Sequence, residues 1–316
     1  MLEGGIVGNI FIVESPFQLS NALLYHKKND SVIVRLNGEN KNDFQIEKML
    51  SSFNGKVYIK KASKESKFDL IRFVLFFAVP VLIANLNKKV IIGNYNSLWM
   101  RVMGYLFNPF HFAVLDDGLI TIRTIKRLDD NISRSGSIKK RFLLLLAPRF
   151  ITQYKIYSNF IQIYNQEINK RKRTTRAIKA GRVCFIGSPL FDKNVLTFDF
   201  YVKCLAAISD NLKRCGYSIE YYPHRSEKNI SYLNVFFDDV IKSDDSIEVY
   251  YSASNELPEI FVSFYSSALL NLRSDYPECK FISYKLDCNE INGKFRYEIM
   301  EAYNFLAFSG IEVVTI

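Results

Sequence analysis

Short apolar runs alternate with stretches of helical spacing along most of this chain, and that alternation constrains its fold more than any other feature. Strands are expected at 9–13, 31–36, 56–60, 90–92 and 112–115, with helices at 19–27, 44–53, 68–85 and 97–107 between them. Apolar strands separated by helices are the mark of a parallel, doubly wound sheet. In such a sheet the ligand lies outside the carboxyl ends of the strands. Residues just after each strand are therefore the ones to inspect.

The pattern then pauses and restarts. Residues 119–179 are strongly basic and mostly helical in spacing, as expected of the end of one domain and a crossing linker. A new apolar run begins at Val183 and is followed by a helix at 200–214, a strand at 217–222 and a helix-like stretch at 230–242. After it come a strand at 247–250, a helical turn at 257–259, a strand at 260–264, a helix at 267–272 and a strand at 280–284. A helix at 294–305 and a strand at 312–315 close the chain. At 316 residues, 48% of them hydrophobic, the chain exceeds one typical core and can fill two. The expected domains are 1–178, a Rossmann-like unit carrying the basic linker, and 179–316, a second such unit. No internal repeat is visible.

A formal charge of +10 points to an anionic partner: nucleic acid, an acidic membrane surface, or a phosphorylated or sialylated substrate. Lysines and arginines concentrate between Arg123 and Arg149 and from Lys170 to Arg182. Either run can be a solvated face, but Lys139-Lys140-Arg141 adjoins Phe142 and four leucines, which suits anionic lipid head groups. The five cysteines are odd in number and lack metal-type spacing, as in reduced thiols of a cytoplasmic protein. No secretory leader is expected, because the run 6–13 is short, has no basic start and leads into Glu14. The stretch 71–86 is shorter than a membrane span and contains Arg72, Pro80 and Asn85, so it is expected to be a buried or interfacial helix.

Four strand exits carry the residues that can do chemistry. After the first strand, Ser15 can cap a helix that opens with Pro16, and such a terminus presents free N–H groups above the sheet. After the fifth come Asp116, Asp117 and Gly118. Adjacent carboxylates repel, and neighbours on an extended chain point to opposite sides, so one is expected to face the ligand while the other braces the turn. The outward one can act as a general base; an ordinary Asp-Gly turn is the alternative. Tyr217 to Tyr222 ends in Pro223, His224 and Arg225, with Glu227 three residues past the histidine. That density of ionisable groups is unusual for a loop, although a surface turn with an incidental histidine also fits it. Finally, a strand at Ser263-Phe264 runs through Tyr265 into Ser266 and Ser267, whose hydroxyls and helix N-terminus can hold a phosphate or simply cap the helix.

Taken together, Asp116-Asp117-Gly118, Pro223-His224 and Ser266-Ser267 resemble the three short motifs of bacterial sialyltransferases. The similarity is greatest to glycosyltransferase family 52, the lipooligosaccharide sialyltransferases, and to the related bacterial polysialyltransferases. The opening Glu14-Ser15-Pro16-Phe17-Gln18-Leu19 with Asn21, and Phe185-Ile186-Gly187-Ser188-Pro189-Leu190, look like parts of the same group. One departure is that the family's His-Pro stands here as His224-Arg225, with Pro223 before the histidine.

The resemblance implies a GT-B architecture, two Rossmann-like domains facing a central cleft. It implies transfer of sialic acid from CMP-Neu5Ac to a glycan hydroxyl, such as that of a terminal galactose, with inversion and with neither metal nor cofactor. On that reading Asp117 is the general base, with Asp116 the second choice, and His224 hydrogen-bonds the CMP phosphate. Ser266 and Ser267 bind the same phosphate or the sugar carboxylate, Gly187 and Ser188 lie near the nucleotide, and Pro223, Arg225, Glu227 and Tyr265 complete the donor side. Ser15, Pro16, Gln18, Asn21 and Gly118 lie toward the sugar or acceptor. The acceptor is a lipid-linked or surface glycan, met at the cytoplasmic face of an anionic inner membrane to which the protein binds peripherally; a homodimer is compatible with this. Another CMP-activated acid, Kdo or legionaminic acid, would use the same residues. A nucleic-acid-binding role is the competing class, and it is disfavoured because the aromatics follow core periodicity and do not alternate with the basic residues.

Overall fold

The computed structural model describes residues 8–63, 65–110, 112–154, 156–165, 176–228 and 230–316. The chain divides into two compact units, Met1–Asn169 and Lys170–Ile316.

In the first unit the elements run β1 (Asn9–Val13), α1 (Pro16–Tyr25), β2 (Ser31–Leu36), α2 (Asn40–Leu50), β3 (Lys56–Lys61) and α3 (Lys67–Phe73). A π-helical turn, Val74–Ala78, leads into α4 (Val79–Ile83), then β4 (Lys89–Ile92), α5 (Leu98–Phe107), β5 (Ala113–Val114) and α6 (Leu119–Ser133). The unit closes with α7 (Ser137–Leu146), β6 (Arg149–Thr152) and β7 (Ile163–Asn165). The π turn has a local cause. Pro80 supplies no N–H to the helix, and the preceding turn widens so that the Val79 N–H reaches back to the Val74 carbonyl.

All seven strands are parallel, in the order β3-β2-β1-β4-β5-β6-β7. Side chains alternate across the sheet, as a period of two requires. Phe11, Val13 and Val32 face Leu19, Ala22 and Ile46 of α1 and α2 on one side. Ile10, Ile12 and Val90 face the helices from α3 to α7 on the other. β6 and β7 fall in the stretch expected to be helical. Both are too short to show periodicity, and they become strands because β5 and then β6 offer a free sheet edge.

The second unit runs β8 (Ala177–Ile186), α8 (Phe198–Arg214), β9 (Ser218–Tyr222), a 3₁₀ turn (Ile230–Val235), β10 (Asp239–Val240), α9 (Ile247–Ala253) and β11 (Glu256–Ser263). It ends with α10 (Ala268–Asp275), β12 (Lys280–Lys285), α11 (Gly293–Phe308) and β13 (Glu312–Thr315). The sheet, again all parallel, has the order β10-β9-β8-β11-β12-β13. Counted within the unit this is the 3-2-1-4-5-6 order of dinucleotide-binding folds, and the first six strands of the other sheet share it. Each sheet therefore has a topological switch point, between β1 and β4 in one and between β8 and β11 in the other.

Three local expectations fail here. The run 247–250 is helical: the Ser246 hydroxyl accepts the Val249 N–H, and Ile247 and Tyr251, four apart, are both buried. The stretch 230–242 is a 3₁₀ turn followed by a two-residue strand, not a helix. Pro258, read as part of a helical turn, lies inside β11, where the strand pairs with β8 before β12 begins.

Candidate functional site

In the first unit the candidates gather at the carboxyl edge of the sheet. The Ser15 hydroxyl caps α1 by accepting the Gln18 N–H at 3.3 Å, and Pro16 occupies the first turn. Gln18 is buried beside Gly93, the residue after β4; a Cβ on that glycine would stand 2.5 Å from Gln18 Oε1, which already accepts the Glu14 N–H at 3.0 Å. Asn21 donates to the Asp116 carbonyl at 2.9 Å, so α1 and the β5 exit meet.

The two aspartates have different surroundings. Asp116 is buried; its Oδ2 accepts the Thr152 hydroxyl at 2.6 Å and the Gln153 N–H at 3.3 Å, while its Oδ1 has no hydrogen-bond partner. Loss of water pushes the carboxyl up to about 7, with the neighbouring Asp117 charge adding to the effect. Asp116 thus braces β5 against β6. Asp117 is half-buried, its N–H donates to the Thr121 hydroxyl at 2.7 Å, and Gly118 at φ 68° turns the chain into α6, a conformation that favours glycine.

An ion pair between buried Arg35 and half-buried Glu14 stands at the same edge, and sequence reading did not single it out. Arg35 Nη1 lies 2.9 Å from Glu14 Oε2, which also accepts the Trp99 indole N–H at 3.3 Å. The guanidinium donates further to the carbonyls of Ala62 and Ser63. Arg35 sits inside an otherwise apolar strand, and that was the only signal available.

In the second unit the exits of β8 and β9 form one cluster. The Gly187 N–H donates to the Tyr222 carbonyl at 2.8 Å. A Cβ on Gly187 would overlap Glu227 Oε2 and lie 2.7 Å from Tyr221 Oη and 2.9 Å from the His224 nitrogen. Only glycine leaves room for this packing. Glu227 is the hub: Oε1 accepts the hydroxyls of Tyr221 at 2.6 Å and Tyr201 at 3.1 Å, and Oε2 accepts the His224 N–H at 2.6 Å. Burial pushes its carboxyl up to about 7 despite those three donors. Ser188 is buried, and its carbonyl accepts from Tyr201 at 3.2 Å.

His224, half-buried after Pro223, accepts the Ser226 N–H on Nδ1 at 3.1 Å. That bond leaves the ring proton on Nε2. Withdrawal from water, helped by the charges of Arg225 and Lys193, pulls the imidazole down to about 3, so at neutral pH it is an uncharged donor. Arg225 itself is exposed.

The serines stand at the next strand exit. Ser263 at the end of β11 donates to the Ile186 carbonyl of β8 at 2.8 Å, which fixes the two exits side by side at the switch point. The Ser266 hydroxyl accepts the Ala268 N–H at 3.2 Å, while Ser267, in the cap position of α10, makes no side-chain cap bond. The Tyr265 ring packs edge-on against Tyr303 at 6.0 Å. No hydrogen bond among the described residues joins Ser266 or Ser267 to His224 or Glu227. Tyr201 and Tyr221 had been legible only as core aromatics. Among the described residues no group of three or more His, Cys, Asp or Glu side chains is placed to hold a metal ion.

No protein-family model matches the chain, and no curated protein matches it in sequence. Among solved structures, MurG from Acinetobacter baumannii aligns over 98% of this chain and 86% of its own, with a TM-score of 0.50 at 7% identity. The Pnkp1/Rnl/Hen1 RNA repair complex aligns over 89% of this chain and 96% of its own at 13% identity, with a TM-score of 0.24. MurG is a GT-B glycosyltransferase, and what the two chains have in common is architecture: this chain has the GT-B fold, built from two Rossmann-like units.

Proposed function

We propose that this protein is an inverting sialyltransferase that moves sialic acid from CMP-Neu5Ac to a hydroxyl of a surface-type glycan, at the cytoplasmic face of an anionic membrane. The observation that carries this reading is the position of the three short motifs. Each follows a strand at the carboxyl edge of its sheet, the edge at which doubly wound folds bind ligands.

Asp117 takes the proton of the acceptor hydroxyl as that oxygen attacks the anomeric carbon. The bond from that carbon to the phosphate oxygen breaks on the opposite side, and CMP departs with the electron pair, so the configuration inverts. His224 donates its Nε2 proton in a hydrogen bond to the phosphate as charge grows there. The tautomer set by the Ser226 N–H supports that role. Ser266, Ser267 and the first N–H groups of α10 bind the phosphate or the sugar carboxylate. Asp116 acts through Asp117, which it positions, and Glu227 acts through His224. No metal is assigned to the reaction.

The test is CMP release from CMP-Neu5Ac, with and without galactose-terminated acceptors, in the presence of EDTA, beside Asp117→Ala and His224→Ala. Release that rises with acceptor and falls at least a hundredfold in both variants is expected. Release that needs a divalent cation, or that survives both substitutions, would overturn the assignment. Binding of CMP without turnover of CMP-Neu5Ac would move the donor to another CMP-activated sugar acid.

A further inference from the structure

From Phe73 through the π turn to the end of α4 the helix is apolar all round, and the outer stripe of α3, the turn and α4 stands in solvent. Phe73, Ala78 and Leu82 point into the core, whereas Phe68, Leu75, Phe76 and Ile83 point outward, with Phe76 76% exposed. The spacing 68, 75/76, 83 is one helical face. α5 repeats the arrangement, with Trp99, Met100 and Met103 inward and Leu98 and Leu106 outward. The Phe73 and Trp99 rings meet edge to face at 5.4 Å, so the two helices are neighbours. In water the outward face of a surface helix is polar, and contiguous apolar patches mark a partner or a membrane.

The charges around this face are mostly cationic. From Lys67 to Leu115 Asp69, in the first turn of α3, is the single acidic residue, against Lys67, Arg72, Lys88, Lys89 and Arg101. α7 lies on the same side of the sheet, where Leu143 packs on the same core. None of its residues is buried; it carries Lys139, Lys140 and Arg141 ahead of Phe142, and no acidic residue occurs from Asn131 to Gln166. A second copy of the chain, meeting this face across a two-fold axis, would set cations against cations. Anionic phosphates beside an apolar layer complement it instead.

We infer that the outer face of α3–α4 and α5, flanked by the cations of α7, docks on an anionic lipid bilayer. The stripe lies in the plane of the interface with its side chains at the boundary between head groups and acyl chains, and the cations meet lipid phosphates. No helix among the described residues is long and apolar enough to cross the bilayer.

Co-sedimentation of the full chain with vesicles tests this, comparing phosphatidylglycerol–phosphatidylcholine mixtures with phosphatidylcholine alone. Wild type should pellet with the anionic vesicles and not with the neutral ones. Phe76→Asp/Leu106→Asp should reduce that binding at least tenfold, and so should Lys139→Glu/Arg141→Glu, which changes exposed positions only and leaves Lys140 over the Phe160 ring. Wild type that ignores anionic vesicles, or apolar-face and α7 variants that bind them as wild type does, would overturn the proposal. So would light scattering that shows a wild-type dimer dispersed by Phe76→Asp/Leu106→Asp without any vesicle binding, since the face would then join two copies. CMP release with a soluble acceptor, measured on the same samples, separates this inference from the transfer chemistry: docking without turnover sinks only the latter, and turnover without docking sinks the docking face and the membrane location proposed above while the chemistry stands.

Discussion

Oε2 of Glu227 accepts the backbone N–H of His224 at 2.6 Å, which ties a carboxylate raised by burial to the turn that carries the imidazole. The ordinary value of 4.5 rises to about 7 in the folded chain. Below pH 4.5 both states hold the proton and the contribution to stability is complete. Between 4.5 and 7 the unfolded chain gives up its proton while the folded chain keeps it, so stability is lost as pH rises. Glu227→Gln should flatten that fall, by at most ~1.4 kcal/mol for each pH unit in the window. Urea unfolding of both proteins at pH 5 and pH 8 measures it, and parallel curves would contradict it.

His224 has the opposite sign. Its pKa is pulled from 6.5 down to about 3, so its contribution is complete above pH 6.5 and is lost as pH falls toward 3. His224→Gln should remove an acid-side loss of stability and leave the curve above pH 7 unchanged, as followed by circular dichroism at fixed urea.

Gly187 has no room for a methyl group, because Glu227, Tyr221 and the His224 backbone fill the space. Gly187→Ala should cost about 1–3 kcal/mol through overpacking. On the proposed function it should also weaken CMP binding, since the β9 exit must shift. A thermal melt and a CMP titration read the two effects separately.

Thr152→Val removes the hydroxyl that donates to Asp116 Oδ2 and leaves the Gln153 N–H on that oxygen. A loss of about 1–3 kcal/mol is expected. It should be larger at pH 8 than at pH 6, because the carboxyl, already at about 7, is charged at the higher pH.

Arg35→Met strands Glu14 Oε2 with the Trp99 N–H alone and leaves the Ala62 and Ser63 carbonyls without the guanidinium. The expected cost is about 3–5 kcal/mol, most of it recovered in Arg35→Met/Glu14→Met, because breaking a buried pair is worse than replacing it. Equal instability of single and double variants in urea melts would argue against this.

Much of the architecture was legible because its causes are local. Strands β1 and β4 are short apolar runs ended by turn residues, β2 is one interrupted by Arg35, and the start of α1 is written in the two adjacent residues Ser15 and Pro16. The strand-like aromatic run of α9 misled for the opposite reason: Ser246 and the i, i+4 burial of Ile247 and Tyr251 outweighed propensity.

By itself the sequence determined two parallel doubly wound units, and it put Asp116, Asp117, Gly187, His224 and the serine pair at strand exits. Periodicity and turn chemistry act within a few residues. Tertiary structure alone decided that Asp116 is the buried brace, that Glu227 gathers Tyr201, Tyr221 and the His224 N–H, that Arg35 neutralises Glu14, and that the apolar helix of α3 and α4 keeps one side in solvent. Desolvation and partnership belong to residues brought together from distant parts of the chain, and a helix apolar on every side carries no mark of which side the core will take.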